Sequence, residues 1–476
     1  MRRCAAGSPR PARRRFCADM PTPRFTATPT APRGCSERAS SAPTERKAQG
    51  FCKMEKSGSY IRRGVHLTAL RTDKFKFGLL SLSFLLPLTA ENASAVNLAA
   101  RVINRGCEKY PTLREISLEC DRLYSASVTA GCGKAGEALM MSFYVSTLDN
   151  AYAFDGTDVF GGAVALLGEL LRRPLLENGG FRSEYLESEK KNLTDDIRAQ
   201  INNKTSYAVN RCIALMCENE RFAVNGSGDI DLINALDGRT LYEKYTEILQ
   251  NAPVEICYVG SMAAEEVADK LQSSLALTDR APELPQTDVV RRAGEVREIA
   301  ETMDISQGKL SIGFRTGTCM YDEDYLSFSL FCTLFGSSPT SRLFLNVREK
   351  LSLCYYCSPV PDGLKGTMIV ACGIDCANKE KATEAILREL EEVQNGRFTD
   401  EELDNAVRAM RNSYREAMDS PAALSSWFTV RSLAGITRSP EEYAALLSGC
   451  TREDIVRAAK RLTLDTIYFL KGKDAQ

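Results

Sequence analysis

The sequence predicts an α+β fold of two homologous domains, each a mainly antiparallel sheet with helices packed on one face. The first observation behind this prediction is an internal repeat, because the apolar, strand-like segment 79–84 (LLSLSF) recurs at 310–314 (LSIGF). Each copy is followed by an apolar, helix-like run and then a glycine, Gly106 or Gly336, at the same distance from its phenylalanine. The second observation is that both halves alternate strand-like with helix-like patterns. Self-similarity of this kind indicates a duplicated unit, and the alternation is typical of helices layered on a sheet.

Each half has the same predicted order of elements: strand, helix, helix, strand pair, helix, helix and terminal strand. A long polar helix begins with the matching segments GFRSEYL and RFTDEEL, and we predict that it runs to Ala208 in the first half and to Ser425 in the second. Each half then closes on one strand, at residues 254–260 (VEICYVG) and 466–472 (TIYFLKG).

The repeat and the composition divide the chain into four parts. Residues 1–58 are rich in Arg, Pro, Ala, Ser and Thr and have no apolar period, which predicts a disordered or dispensable extension. A targeting segment is the alternative, and the sequence around Met54 resembles a natural start. Residues 59–274 and 302–476 are the two predicted domains. Between them, residues 275–301 contain APELPQTD and a charged run, which is typical of a linker.

Charge and hydropathy argue against two classes of partner. The 61 Lys and Arg residues and the 62 Asp and Glu residues nearly cancel, so no overall field attracts nucleic acid or an anionic membrane. The most hydrophobic run, residues 78–88 (GLLSLSFLLPL), is about half the roughly 20 residues that a membrane-spanning helix needs, and it predicts a buried strand. We therefore expect neither nucleic acid nor membrane as a partner.

The cysteines indicate a reducing compartment. All 17 are scattered through the chain, mostly in apolar segments, and no secretory signal peptide precedes them. A chain of this length does not need disulfides for its stability. We therefore predict reduced thiols and a cytoplasmic location.

His66 is the single histidine of the 476-residue chain. One imidazole cannot build a two-histidine zinc site or a His-x-x-Glu-His motif, and any Ser-His or Cys-His mechanism would have to use it. It lies in an alternating segment that is typical of a strand, and no Gly-x-Ser-x-Gly motif is present to supply a nucleophile. We predict a structural role for His66 and no bound metal or cofactor.

A glycine motif at Gly131, Gly133 and Gly136 matches the spacing of a dinucleotide-binding fingerprint. It lies between two strand-like segments, however, so no helix N-terminus follows it to meet a phosphate. We predict a hairpin turn at this place.

Cys354 and Cys357 have the spacing of a metal or redox pair. On a regular strand, residues three apart point to opposite faces, so we predict that these two thiols are separated and act as small buried hydrophobes. A four-thiolate site that Cys372 and Cys376 would complete is the alternative.

The second half carries the residues of a known family. Residues 334–344 (LFGSSPTSRLF) are followed by residues 347–355 (VREKLSLCY) and by Gly366 at the start of a strand-like segment. This pattern resembles the second domain of the insulinase and pitrilysin-type (inverzincin) metallopeptidases, whose chains are duplicated α+β domains arranged as one half of a clamshell. The resemblance covers nearly everything after Gly64. Within the family, the chain most resembles bacterial zinc-free members found beside an active partner, some of them associated with elongation factor P modification.

The resemblance also implies a degenerate metal site. Family enzymes bind zinc through His-x-x-Glu-His on a first-domain helix and a later carboxylate, with the motif's Glu as general base. At the implied position this chain reads Asn97-Leu-Ala-Ala100-Arg101, and Asp196 stands at the place of the later carboxylate. We therefore predict no catalytic residue and no metal ligand. For Asp196, a salt bridge to Arg101 in place of the metal and a solvated helix face are the two alternatives.

Arg348 and Tyr355 are the predicted substrate-binding residues. In the family, this Arg and this Tyr hold the peptide backbone of the substrate and come from the half opposite the zinc, so the resemblance implies that a zinc-free chain supplies them in trans. A guanidinium and a phenol both donate hydrogen bonds to a peptide carbonyl. Maintenance of the fold is the alternative role.

These observations predict a catalytically inactive insulinase-family protein. It would form a heterodimer with a zinc-bearing insulinase-like homologue, close a peptide-processing chamber, and bind a peptide or an unfolded polypeptide there. The alternative is a non-proteolytic binding or scaffold protein of a maturation pathway such as elongation factor P modification. We expect no activity from the chain on its own, and an independent hydrolase is the least favoured interpretation.

Overall fold

A computed structural model describes residues 54–473, which form an α+β structure with two sheet-bearing domains. Of the predicted N-terminal extension, residues 1–53 lie outside the described range, whereas residues 55–58 begin the first strand. Across the described range, no helix is both long enough and apolar enough to cross a membrane.

The strands within this range are, in chain order, β1 (Glu55–Arg62), β2 (Val65–Arg71), β3 (Phe77–Pro87), β4 (Ser127–Ala135), β5 (Ala138–Leu148), β6 (Leu176–Glu177), β7 (Gly180–Phe181), β8 (Val254–Gly260), β9 (Arg297–Met303), β10 (Gly308–Arg315), β11 (Cys354–Asp362), β12 (Thr367–Ile374) and β13 (Thr463–Gly472). The α-helices are α1 (Ala90–Ile103), α2 (Leu113–Arg122), α3 (Val159–Arg172), α4 (Ser183–Ala199), α5 (Lys204–Met216), α6 (Ile230–Ala235), α7 (Gly238–Asn251), α8 (Ala264–Leu275), α9 (Tyr325–Cys332), α10 (Lys379–Gln394), α11 (Asp400–Ala417), α12 (Pro421–Ser432), α13 (Pro440–Leu446) and α14 (Arg452–Arg461).

The two large sheets share one strand arrangement, to which the first sheet adds the edge strand β1. The first sheet has the strand order β1-β2-β8-β3-β5-β4, and the second has the order β11-β12-β10-β13-β9. The last strand of the first sheet, β8, pairs antiparallel with β3 and parallel with β2. In the second sheet, β13 pairs in the same way with β10 and β9. All other pairs in both sheets are antiparallel. The predicted duplication of a mainly antiparallel α+β unit is confirmed, and the predicted buried strand at residues 78–88 is β3. Strand β9 begins inside the predicted linker, and the domain boundaries themselves stay a prediction.

The prediction of one long polar helix in each half is wrong, because the structure has two helices there. In the first half, α4 ends at Ala199, and α5 begins after Asn203, whose side chain accepts a hydrogen bond from the backbone N–H of Ser206. In the second half, α11 ends at Ala417, and Ser420 caps α12, whose first turn contains Pro421. Polar N-caps of this kind begin a new helix without ending the amphipathic pattern, so the break is hard to predict from periodicity.

The helices that follow these breaks cross to the opposite sheet. Helix α5 lies in the first half of the chain but packs on β10, β12 and β13 of the second sheet, and α12 lies in the second half but packs on β3 and β8 of the first. The buried side chains of the first contact are Ala208, Cys212, Met216, Ile369, Tyr468 and Leu470. Those of the second are Leu70, Cys257, Val259, Leu424 and Phe428. Each sheet therefore has helices of its own half on one face and a helix of the other half on the opposite face.

A buried ion cluster joins the tips of equivalent hairpins of the two domains. Lys365, in the turn between β11 and β12, has its Nζ 2.6 Å from Oε1 of Glu137, next to the β4–β5 turn, and 2.6 Å from Oε2 of Glu220. The same Nζ donates to the carbonyl of Asp288. Glu220 also accepts from Arg315, at 2.7 Å. Because the Lys365 and Glu137 side chains are almost fully buried, these contacts fix one domain against the other.

Candidate functional site

Helix α1 carries the positions where the family resemblance places a metal motif. Thr89 caps this helix by accepting a hydrogen bond from the backbone N–H of Asn92. Asn97 donates from its Nδ2 to the carbonyls of Ala93 and Gly226, both at 2.8 Å. The Asn97 amide is therefore used within α1 and to hold the loop that contains Gly226 against this helix.

Ala100 stands where the general base would be. Its methyl group is buried in the core of the first domain. A methyl group neither accepts nor donates a proton, so this position cannot activate water.

Arg101 occupies the second ligand position and forms a salt bridge to α4. Its Nη2 lies 2.8 Å from Oδ2 of Asp196, with the two side chains 34% and 62% exposed. The structure therefore contains the pairing that was one of the two alternatives for Asp196, although most of that carboxylate is also solvated. An ion pair as exposed as this one contributes roughly 0–1 kcal/mol.

A second, more buried pair joins Arg105, just after the end of α1, to an earlier turn of α4. Arg105 Nη1 is 3.0 Å from Oε1 of Glu189, whose side chain is buried, and the Arg105 guanidinium lies over the ring of Tyr185. This pair was not predicted from the sequence. The four-residue spacing of Arg101 and Arg105 was the one signal for it, because residues at this spacing lie on the same side of a helical segment.

These residues do not fit a divalent metal. Where the motif would supply two imidazoles and a carboxylate, the chain has an amide engaged in two hydrogen bonds, a buried methyl and a guanidinium. A guanidinium has no lone pair to donate, and its fixed positive charge already meets the acid that a metal would need. Arg101 on α1 and Arg105 just after it each form an arginine–carboxylate pair with α4.

Arg348 and Tyr355 lie in the second domain, on consecutive elements. Arg348 belongs to a π-helical segment, Leu343–Lys350, that packs against β11, and its guanidinium lies over the Phe344 ring at 4.6 Å. Tyr355 is the second residue of β11, and it is 65% exposed. Both donor groups therefore reach the surface, and their role in binding a substrate stays a prediction.

The prediction that Cys354 and Cys357 point to opposite faces is wrong. A bulge in β11 places Cys354 opposite Ile374 but Tyr356 opposite Gly373, so one extra residue is inserted between them. The shift turns Cys354 to the same face as Cys357, which lies directly opposite Cys372. The three sulfurs lie within 4.8 Å of one another, and all three residues are buried.

His66 and the glycine motif both lie in the first sheet. His66 is in β2, with its Nδ1 3.0 Å from Oε2 of Glu255 and its ring against Tyr60. In the glycine motif, Gly131 and Gly133 are part of β4, and Gly136 forms the turn into β5 with a φ of +56°. The predicted hairpin is confirmed.

Comparison with known proteins gives one sequence family. A family model described as the peptidase M16 inactive domain matches residues 236–410. The probable inactive metalloprotease YmfF of Bacillus subtilis (strain 168) is 31% identical over 411 residues, which cover 86% of this chain and 96% of that protein. The uncharacterized zinc protease SCO5738 of Streptomyces coelicolor is 25% identical over 264 residues, which cover 52% of this chain and 57% of that protein.

Solved structures give the same fold. A conserved protein from Enterococcus faecalis V583 aligns with a TM-score of 0.81 and 26% identity, over 88% of this chain and 99% of that one. A structure described as the peptidase M16 inactive domain from Pseudomonas fluorescens aligns with a TM-score of 0.72 and 18% identity, over 88% and 99% of the two chains. A protease from Helicobacter pylori aligns with a TM-score of 0.70 and 13% identity, over 88% and 100%. At the lower identities, the likeness concerns the fold alone.

Proposed function

Because this chain belongs to the insulinase-type M16 peptidase family, as an inactive member, we propose that it is the non-catalytic subunit of a peptide-processing pair. Its partner in this proposal is a zinc-bearing homologue, the two chains close a chamber around a peptide or an unfolded polypeptide, and only the partner activates water. The observation that carries the proposal is the replacement of the metal motif by Asn97, Ala100 and Arg101, with Arg101 salt-bridged to Asp196.

Arg348 and Tyr355 are the residues that we assign to the substrate in this pair. Their exposed guanidinium and phenol supply hydrogen-bond donors of the kind that bind a peptide carbonyl and stabilise a developing oxyanion. The reaction at the metal would belong to the partner, so this chain contributes positioning of the peptide backbone.

A cytoplasmic location is part of the proposal. Thirteen cysteines of the described range are unpaired thiols, including several in the interiors of both domains. Free thiols in this number are typical of a reducing compartment.

The test is reconstitution with the zinc-bearing homologue. Coexpressed chains are expected to co-elute in size-exclusion chromatography and to cleave an unstructured peptide, with zinc in the partner and chelator abolishing turnover. Arg348→Ala is expected to lower kcat/KM at least about tenfold, since a hydrogen bond from a charged group is worth about 1.5–3 kcal/mol. The control is Arg388→Ala, which removes an exposed arginine on α10 and should leave kcat/KM within about twofold.

Two results would redirect the proposal. If the chains do not co-elute and peptidase activity is not increased, the scaffold interpretation, with a role such as elongation factor P modification, takes its place. If the purified chain cleaves peptides alone in the presence of chelator, the chain is an independent hydrolase. Tyr355→Phe, which keeps the ring and removes the hydroxyl, separates a loss of peptide binding from a loss of folding.

A further inference from the structure

The cluster of Cys354, Cys357 and Cys372 lies outside the degenerate motif and has no part in the function proposed above. Among residues 54–473 it is the one group of three His, Cys, Asp or Glu side chains whose ligand atoms all lie within 4.8 Å of one another. The three residues are 8%, 6% and 1% exposed and belong to the hydrophobic core of the second domain. Three thiols are therefore gathered in an apolar place that is almost closed to solvent.

A bulge in β11 brings the three cysteines together. Cys357 and Cys372 are directly opposed in the β11–β12 ladder, and the β11 bulge adds Cys354 to the same face. Ser352, just before the strand, has a φ of +52°, a left-handed conformation that turns the chain into β11. A regular strand would separate the two thiols of the Cys-x-x-Cys segment, so the bulge is what creates the cluster.

The donor set is sulfur alone, and this decides which ions it suits. Thiolates select soft ions such as Cu(I) and Zn(II). Zn(II) in structural sites takes four ligands, whereas this group offers three, and Cys376 lies outside it. Three sulfurs around an ion at about 2.3 Å would be about 4 Å apart, so thiols within 4.8 Å need only a small movement to close on it.

Positive charge borders the cluster. Arg348 lies near Cys354, on the segment that precedes β11. Lys309 of β10 pairs with Gly373, and its Nζ lies over the ring of Tyr356 on the opposite face of the sheet. Arg348 alone therefore partly balances the negative charge that bound thiolates bring into the core.

We propose that Cys354, Cys357 and Cys372 bind one soft, thiophilic ion of the Cu(I) type per chain, in three-coordinate sulfur geometry. Binding replaces thiol protons by bonds from sulfur to the ion, and the displaced protons go to solvent, with no electron transferred. Tyr355 lies within the same bulge, between a ligand and its neighbour Tyr356, so the ion would hold the backbone that carries this exposed phenol.

The test is an anaerobic titration of the reduced full chain with Cu(I) against a chromophoric Cu(I) chelator, followed by X-ray absorption spectroscopy. One tightly bound equivalent with about three sulfur neighbours at about 2.3 Å is expected. Loss of partners outside the ligand shell weakens metal sites about 10- to 100-fold, so Cys372→Ala, which removes a ligand, should weaken binding at least about 100-fold. Cys332→Ala is the matched control, because Cys332 is a buried thiol of the same core that lies outside the cluster.

Three results would overturn the proposal. They are equal Cu(I) affinity of wild type and Cys372→Ala, a spectrum with two sulfurs or with nitrogen or oxygen neighbours, and tighter binding of Zn(II) in a four-coordinate site. A disulfide among the three cysteines in protein purified under air, with no ion bound after reduction, would also overturn it. If Cys372→Ala does not fold, Cys354→Ser, at the more exposed start of the strand, replaces it and is expected to show the same loss.

Discussion

Replacing Lys365 by methionine is expected to weaken the contact between the two domains more than the loss of any exposed ion pair. Methionine keeps most of the length of the side chain and removes its charge, which leaves the buried carboxylate of Glu137 without its cation. Removing one partner of a buried pair costs about 3–5 kcal/mol. Glu137 keeps a hydrogen bond from the backbone N–H of Asp288, and Glu220 keeps Arg315, so we expect the lower end, about 3 kcal/mol.

The assay for this change is urea denaturation followed by the fluorescence of Trp427, the only tryptophan of the chain. Trp427 lies on α12, the helix that packs on the first sheet, so its emission reports the contact between the halves. The control is Lys74→Met, which removes an exposed salt bridge to Asp419 and should cost less than about 1 kcal/mol. Equal shifts of the midpoint for both variants would refute the argument. A second substitution, Glu137→Gln, should restore part of the stability lost in Lys365→Met, because it removes the unpaired charge.

Three further predictions concern charged groups of the first domain and the contact between the domains. Arg105→Ala should lower the free energy of unfolding, measured by urea denaturation, by about 2 kcal/mol because it leaves the buried Glu189 carboxylate without its cation. Arg101→Ala should lower it by less than about 1 kcal/mol, and equal losses would contradict this ranking. Burial raises the pKa of Glu220, but hydrogen bonds from Arg315 and Lys365 outweigh it and hold the pKa below 4.5. Its stabilisation is therefore complete above about pH 4.5 and lost as the pH falls through the folded pKa, so Glu220→Gln should flatten the acid limb of a plot of urea midpoint against pH. Burial lowers the pKa of Lys134 to about 8, so its buried charge destabilises the folded state most below that pH. This destabilisation decreases from about pH 8 to 10.5, where the folded state has lost the proton that the unfolded state still binds. The free energy of unfolding of the wild type, measured relative to Lys134→Met, should therefore rise over that range.

The parts of the fold that could be predicted are those that local patterns determine. Strand β3 is a mostly apolar run, and the repeated Phe-to-Gly spacing marks the same strand and helix in both halves. Between the strand pair and the terminal strand, two helices were predicted in each half, and the structure has five, α3–α7 and α10–α14. The extra helices are short or begin at polar caps such as Asn203 and Ser420, where the amphipathic period alone gives no boundary.

What could not be predicted depends on contacts between distant parts of the chain. The crossing of α5 and α12 to opposite sheets requires a tertiary pairing that no window of sequence contains. The bulge at Cys354 depends on its register with Gly373 and Ile374, and a shift of one residue reverses the face to which a side chain points. The two salt bridges to α4 are also contacts between distant residues. The Arg101–Asp196 pair could be proposed from a resemblance, whereas the Arg105–Glu189 pair was found only in the structure.

The replacement of the metal motif has a physical logic that favours positioning over chemistry. A zinc ion between two helices supplies both a structural link and a Lewis acid, and the link alone can be replaced by a cation fixed to the chain. Arg101 and Arg105 provide this link twice, with Asp196 and Glu189 as partners, and Asn97 ties the same helix to the loop of Gly226. The two helices are thereby held together without a group that polarises water. The same contacts that leave no metal ligand at these positions therefore still fix the position of α1 relative to α4 and to the Gly226 loop.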